Sequence, residues 1–314
     1  MDFARMLANE PAVLTEGAVV ERLRRDPLVE LNPLVAHAAF PANPATAAAL
    51  GGIYKEYLEI GRAARLPMIC TTPTWRANPE RTALAGLDTR AVNIAAVRFL
   101  LAIREEYEGV WVGALMGCRG DAYRPEEALG RAEAARFHAV QVAALAEAGP
   151  NFLFAATMPE ASEAAGMAEA MARSGLPYII SFIIKPEGCL LDGTPVTEAI
   201  RRIDAEVSPA PLAYFVNCVH PSAMHVRHPR LLGFQGNTSR KPPHQLEGLP
   251  ELDTEEPAEF ARAVLALGGR CGLRVFGGCC GTDARHIRAI AGGLQPTSAI
   301  FGSGVNVRES LDES

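Results

Sequence analysis

Two kinds of stretch alternate along this chain: short continuous apolar runs, and longer segments whose apolar residues recur every three or four positions. The first kind comprises AVLTEGA, PMICTTPTW, VWVGALMG, NFLFAATMP, PYIISFIIKP, AYFVNCVHP, RLLGFQGN and LRVFGGCC. A run such as YIISFII has no polar alternation, the pattern of a strand covered on both faces. The second kind predicts helices over 19–31, 44–64 and about 88–107, over EEALGRAEAARFHAVQVAALAEAG, ASEAAGMAEAMARSG and PVTEAIRRIDAE, near 255–268, and over DARHIRAIAGGL.

Eight strands, each followed by a helix or a helix-length gap, predict a closed (β/α)8 barrel of α/β class, a TIM barrel. An open doubly wound sheet is the rival, but no GxGxxG stands between the first strand and its helix. Without a Gly/Ser linker, charge block or low-complexity segment, the 314 residues read as one domain with a barrel core over about 13–294. The proline-rich 242–257 reads as a long loop, and 303–314 as a mobile tail without periodicity.

Composition narrows the function class. Hydrophobic content of 49% and charged content of 21% are those of a soluble protein with a sizeable core. A net charge of -6 argues against nucleic acid or an anionic membrane as partner. The start MDFARMLANE lacks the pattern of a signal peptide, and no run of about 18 apolar residues predicts a membrane span. The seven cysteines form no small-domain framework, so reduced thiols and a cytoplasmic setting are expected.

Chemistry in such a barrel sits where strands end. Cys279 and Cys280 close the eighth strand in VFGGCCGTD, and Cys218 closes the sixth in FVNCVHP. Strand ends two apart around a closed barrel can bring these sulfurs together. Three thiolates suit Zn²⁺ and leave its fourth position open, as a catalytic site requires. Gly277 and Gly278 are expected to bend the backbone so that both neighbouring cysteines face one ion, and Gly281 to clear space beyond the turn. Cys70, Cys118, Cys189 and Cys271 read as small hydrophobes. His220, His225 and His228 read as loop histidines, since three cysteines already suffice, and His286 as a helix-capping or packing residue.

At these residues the chain resembles the homocysteine S-methyltransferase family, whose betaine-, S-methylmethionine- and cobalamin-dependent members share one zinc barrel. The likeness rests on GGCCGTDARHIRAI at 277–290, on Asn217-Cys218, on SFIIKPEGCLLDGTPVTEAI and on TTPTWRAN, and extends over most of the chain. It implies Cys218, Cys279 and Cys280 as zinc ligands, and methyl transfer from a small cationic donor to a thiol such as homocysteine, giving methionine. Absence of folate, corrinoid or assembly modules points to a stand-alone enzyme using S-methylmethionine or S-adenosylmethionine. A corrinoid-protein partner and a non-catalytic zinc- or thiol-binding barrel are carried as alternatives, with the oligomeric state left open.

Around the metal, the expected substrate-binding residues are Glu16, Gly17, Trp75, Thr157, Asn217 and Asn237. The family's Asp-Gly-Gly turn reads here Glu16-Gly17-Ala18, and Trp75 stands where the family usually has tyrosine. Trp75 could wall a cationic donor. Asn217 is expected to point away from Cys218, and Asn237 to line the pocket. Most telling is Ala156, in the place of the glutamate that holds the amino group of homocysteine in the family. Either another acid such as Glu16 compensates, or the acceptor is a different thiol.

Overall fold

The computed structural model describes residues 2–241 and 253–295. The tail at 303–314 and most of the loop at 242–257 lie outside the described residues.

Eight parallel strands close into a barrel in sequence order: β1 Val13–Thr15, β2 Met68–Thr71, β3 Val110–Met116, β4 Phe152–Met158, β5 Tyr178–Phe182, β6 Ala213–Asn217, β7 Leu231–Gly236 and β8 Val275–Gly278. Closure pairs Val13 with Val275 and Leu14 with Phe276. All eight coincide with the apolar runs of the sequence. Their near-complete burial explains why the runs do not alternate: one face meets the barrel interior and the other the helices.

The outer layer is built of helices. The long α3 (Pro44–Ala64) starts at Asn43, whose side chain accepts from the Ala45 N–H, and stops where Arg65 turns left-handed at φ 57°. After it come α5 (Thr89–Arg104), α6 (Arg131–Glu147), α7 (Ala161–Ala172), α8 (Val196–Glu206), α9 (Pro257–Cys271) and α10 (Ala284–Leu294). His286 completes a capping box with Asp283 at the start of α10. Two short helices have little periodicity to announce them: α1 (Phe3–Asn9), and α4 (Pro79–Leu84), capped by Asn78. The helix expected over 19–31 is only α2, Val20–Arg24. Pro27 and Pro33 follow it, and proline cannot continue a helix without losing a backbone hydrogen bond.

Helix α1 closes one end of the barrel. Its Phe3, Met6 and Leu7 join the interior cluster of Val13, Ile69, Phe152, Phe154, Ile179 and Phe215. Phe3 stacks on Phe152, the first residue of β4, at 4.0 Å between centroids. The end where strands begin is therefore plugged, and the end where they finish is left for chemistry. Among the described residues no helix is long and apolar enough to cross a membrane.

Candidate metal centre

The loops after β6 and β8 bring Cys218, Cys279 and Cys280 together, with their sulfurs all within 4.8 Å of one another. Tetrahedral thiolates bound at ~2.3 Å stand ~3.8 Å apart, so the donor set fits one ion with little adjustment. Among the described residues it is the sole such cluster of cysteine, histidine and acidic side chains.

The backbone makes this convergence. Cys218 sits in the left-handed region at φ 58°, as does Thr157 at φ 59° across from it at the end of β4. Such non-glycine conformations are sparsely populated and gather at functional sites. The left-handed turn swings the Cys218 sulfur back over its own strand end. For that reason Asn217 does not point away as its sequence neighbourhood implied: its Nδ2 donates to Cys218 Sγ at 3.2 Å and to Thr157 Oγ1 at 2.7 Å. Its Oδ1 accepts from Ser181 Oγ at 2.6 Å and the Thr157 N–H at 2.9 Å. Asn217 thus ties β4, β5 and β6 to the first sulfur.

Asn237 departs from its expected role too. It lies outside the residues lining the cavity. Instead its Nδ2 donates to the Cys218 carbonyl at 2.9 Å, and its Oδ1 accepts from the Cys280 N–H at 3.1 Å. It is a strut between the two cysteine loops. The paired glycines also work differently from the expected bend, since Gly277 and Gly278 have no positive φ. A Cβ on Gly277 would collide with Thr15 Oγ1, and one on Gly278 with Thr282 Oγ1. Gly277 thus lets β8 approach β1 closely, and Gly278 lets the turn after β8 fold Thr282 back against the strand end. Gly281 does require its residue type, with φ 83° and Thr238 against it.

The three sulfurs form part of the wall of a cavity of about 320 Å³ that also meets Glu16, Gly17, Trp75, Thr157 and Asn217. Glu16 is buried; its Oε1 accepts from the Thr71 N–H at 2.9 Å and from the Thr71 hydroxyl, while Oε2 has no partner among the described residues. Burial pushes its pKa from 4.5 up to about 7, against the opposing hydrogen bonds from Thr71. Trp75 Nε1 donates to the Ala156 carbonyl at 3.4 Å, and its ring lies where a Cβ on Gly117 would collide. The indole and the small Ala156 are therefore neighbours. The Arg76 guanidinium lies 5.1 Å from the Trp75 ring centroid, so a cation already rests on the indole.

Among the thiols, Cys218 is held well below the usual cysteine range, by hydrogen bonds from Cys279 and Cys280 and further by those from Thr157 and Asn217. Cys279 is pushed well up, and Cys280 up to about 12, chiefly by sharing hydrogen bonds with a neighbour that ionises first. One thiolate in a small cluster makes the next costly, until a cation arrives to take the charge.

Arg24, His37, Arg76 and Tyr123 also line the cavity and were not anticipated. Arg76 directly follows Trp75 at a strand end, a position that could have marked it. The other three come from irregular loops or a short helix, where periodicity carries no signal.

A sequence profile of the homocysteine S-methyltransferase family matches residues 13–294. The chain belongs to that family. Among curated proteins, betaine–homocysteine S-methyltransferase 1 of Bos taurus is 29% identical over 173 residues, covering 46% of this chain and 40% of the relative. Homocysteine S-methyltransferase YbgG of Bacillus subtilis (strain 168) is 30% identical over 181 residues, covering 55% of this chain and 56% of the relative. The matched segments thus span roughly half the length of these relatives. Among solved structures, the homocysteine methyltransferase MmuM of Escherichia coli in its metallated form has a TM-score of 0.71 at 21% identity, covering 92% of this chain and 98% of that one. At that identity the likeness is one of fold.

Proposed function

We infer that this family member is a zinc-dependent S-methyltransferase that moves a methyl group from a small sulfonium donor to a thiol, homocysteine being the acceptor that best fits. The observation that carries this reading is the convergence of three cysteine sulfurs from two strand ends within 4.8 Å, beside a cavity. Cys218, Cys279 and Cys280 would hold the ion. Zinc in that position supplies the charge that lets an acceptor thiol lose its proton near neutral pH.

The protein's own groups do the rest by positioning. The acceptor sulfur attacks the donor's methyl carbon; a new S–C bond forms as the onium S–C bond breaks, the donor leaves as a neutral thioether, and the thiol proton passes to solvent. Asn217 and Asn237 hold the two cysteine loops in register during this exchange. Glu16, which lines the cavity and keeps one carboxylate oxygen without a partner among the described residues, is the group suited to an acceptor's ammonium. That placement offers the compensation which Ala156 demands. Ionised Glu16 is needed for it, so acceptor affinity should weaken as pH falls through about 7.

The test is direct. Purified protein with zinc, homocysteine and either S-methylmethionine or S-adenosylmethionine should yield methionine by mass spectrometry. Methylation of other small thiols in preference to homocysteine would favour the altered acceptor implied by Ala156, and silence with every pair would overturn the reading.

A further inference from the structure

Two guanidinium groups in the cavity wall have no carboxylate partner among the described residues. Arg24, on α2, and Arg76, after β2, both line the cavity, and neither lies within 4.0 Å of a carboxylate among the described residues. Arg22, Arg90, Arg119, Arg131 and Arg230, by comparison, each hold an acid at 3.1 Å or closer, so what sets Arg24 and Arg76 apart is their shared place in the cavity wall. Arg24 and Arg76 are also near enough to repel one another, and Arg24 bears on His37 as well. The neighbouring acids are committed elsewhere: Glu21 accepts from the Gly281 N–H, and Asp121 from the Tyr123 N–H. His37 supplies an independent sign. Its side chain is buried, lines the same cavity, and keeps an Nδ1 without a hydrogen-bond partner among the described residues. Buried nitrogens without partners are rare in native proteins, and a ligand is one of the few reasons for them.

Like charges gathered beside an unpartnered nitrogen fit a planar anion, and guanidinium is the side chain matched to a carboxylate in two-point contact. We propose that Arg24, Arg76 and His37 form a carboxylate-binding site in the cavity wall, which selects substrates bearing a carboxylate a few bonds from the reacting sulfur. The proposal rests on the methyl-transfer reading for its choice of substrate. Glu16 in the same wall keeps its Oε2 without a partner among the described residues, so the two together would recognise a zwitterionic amino acid by both ends. That carboxylate is either the acceptor's or the donor's.

Calorimetric binding distinguishes these sources without turnover. The ligands are homocysteine and S-methylmethionine, each as free acid and as carboxamide, titrated into wild-type protein and into Arg24→Met and Arg76→Met, with circular dichroism confirming that each variant folds. Wild type should bind at least one acid about 10–100-fold tighter than its amide, and either substitution should remove most of that preference while leaving amide binding unchanged. Loss confined to homocysteine assigns the acceptor's carboxylate, and loss confined to S-methylmethionine the donor's. Equal binding of acid and amide by wild type, no binding of any ligand at millimolar concentration, or variants that weaken acid and amide alike would each overturn the site. A carboxylate preference in a protein that transfers no methyl group would keep the site and discard the methyltransferase reading.

Discussion

At the residue scale, the centre depends on side chains one contact away from the sulfurs. Asn217 spends all its hydrogen-bonding capacity on Ser181, Thr157 and Cys218. Asn217→Ala should therefore lower zinc affinity about 10–100-fold, as loss of a ligand's supporting hydrogen bond commonly does, while the three cysteines remain. Competition with a chromogenic chelator measures this, and unchanged affinity would show that the left-handed turn at Cys218 holds itself. Glu16 offers a different reading of its surroundings. A carboxyl that stays protonated in the fold up to about 7, but ionises near 4.5 when unfolded, weakens the fold as pH rises between those values. Above pH 7 the loss is on the order of 3 kcal/mol. Glu16→Gln should thus be more stable than wild type at pH 8 in urea melts, with the gap closing below pH 4.5. An advantage independent of pH would mean that burial does not raise this carboxyl. These residues also mark where sequence reading stopped. The cysteines were legible because chemistry and strand-end position agreed, but the direction of Asn217 hangs on φ at Cys218, which residue type does not announce.

At the element scale, the barrel's legibility follows from burial. Strands enclosed on both faces must be continuous in apolar residues, so their pattern survives without any knowledge of the tertiary fold. Helix α1 has seven residues, too few for a periodic signal, yet it inserts Phe3 against Phe152. Its place is decided by the hole it fills. Phe3→Ala should cost about 3–5 kcal/mol, as truncation of a buried aromatic does, and leave zinc binding intact because it lies at the opposite end of the barrel. A denaturant midpoint unchanged by the substitution would show that the plug is dispensable. The short α2 teaches the converse: prolines at 27 and 33 overrule an apolar pattern.

For the whole molecule, the cysteine cluster joins two chain segments that are distant in sequence but linked by Asn237 and by β7 between them. An ion bound there stabilises the native chain by mass action. Chelation should lower the melting temperature while leaving far-ultraviolet circular dichroism intact at 25 °C, a temperature at which the packed core alone holds the barrel. Collapse of secondary structure on chelation would make the ion a structural staple. Architecture was legible at this scale. The cavity wall was not, because His37 and Tyr123 reach it from irregular chain and Arg24 from the five-residue α2.

The most direct test of the central claim is zinc K-edge X-ray absorption on the zinc-loaded protein, alone and with homocysteine. Three sulfurs near ~2.3 Å rising to four when the thiol is added is the expected result. A sulfur count below three, or one that homocysteine leaves unchanged, would contradict it.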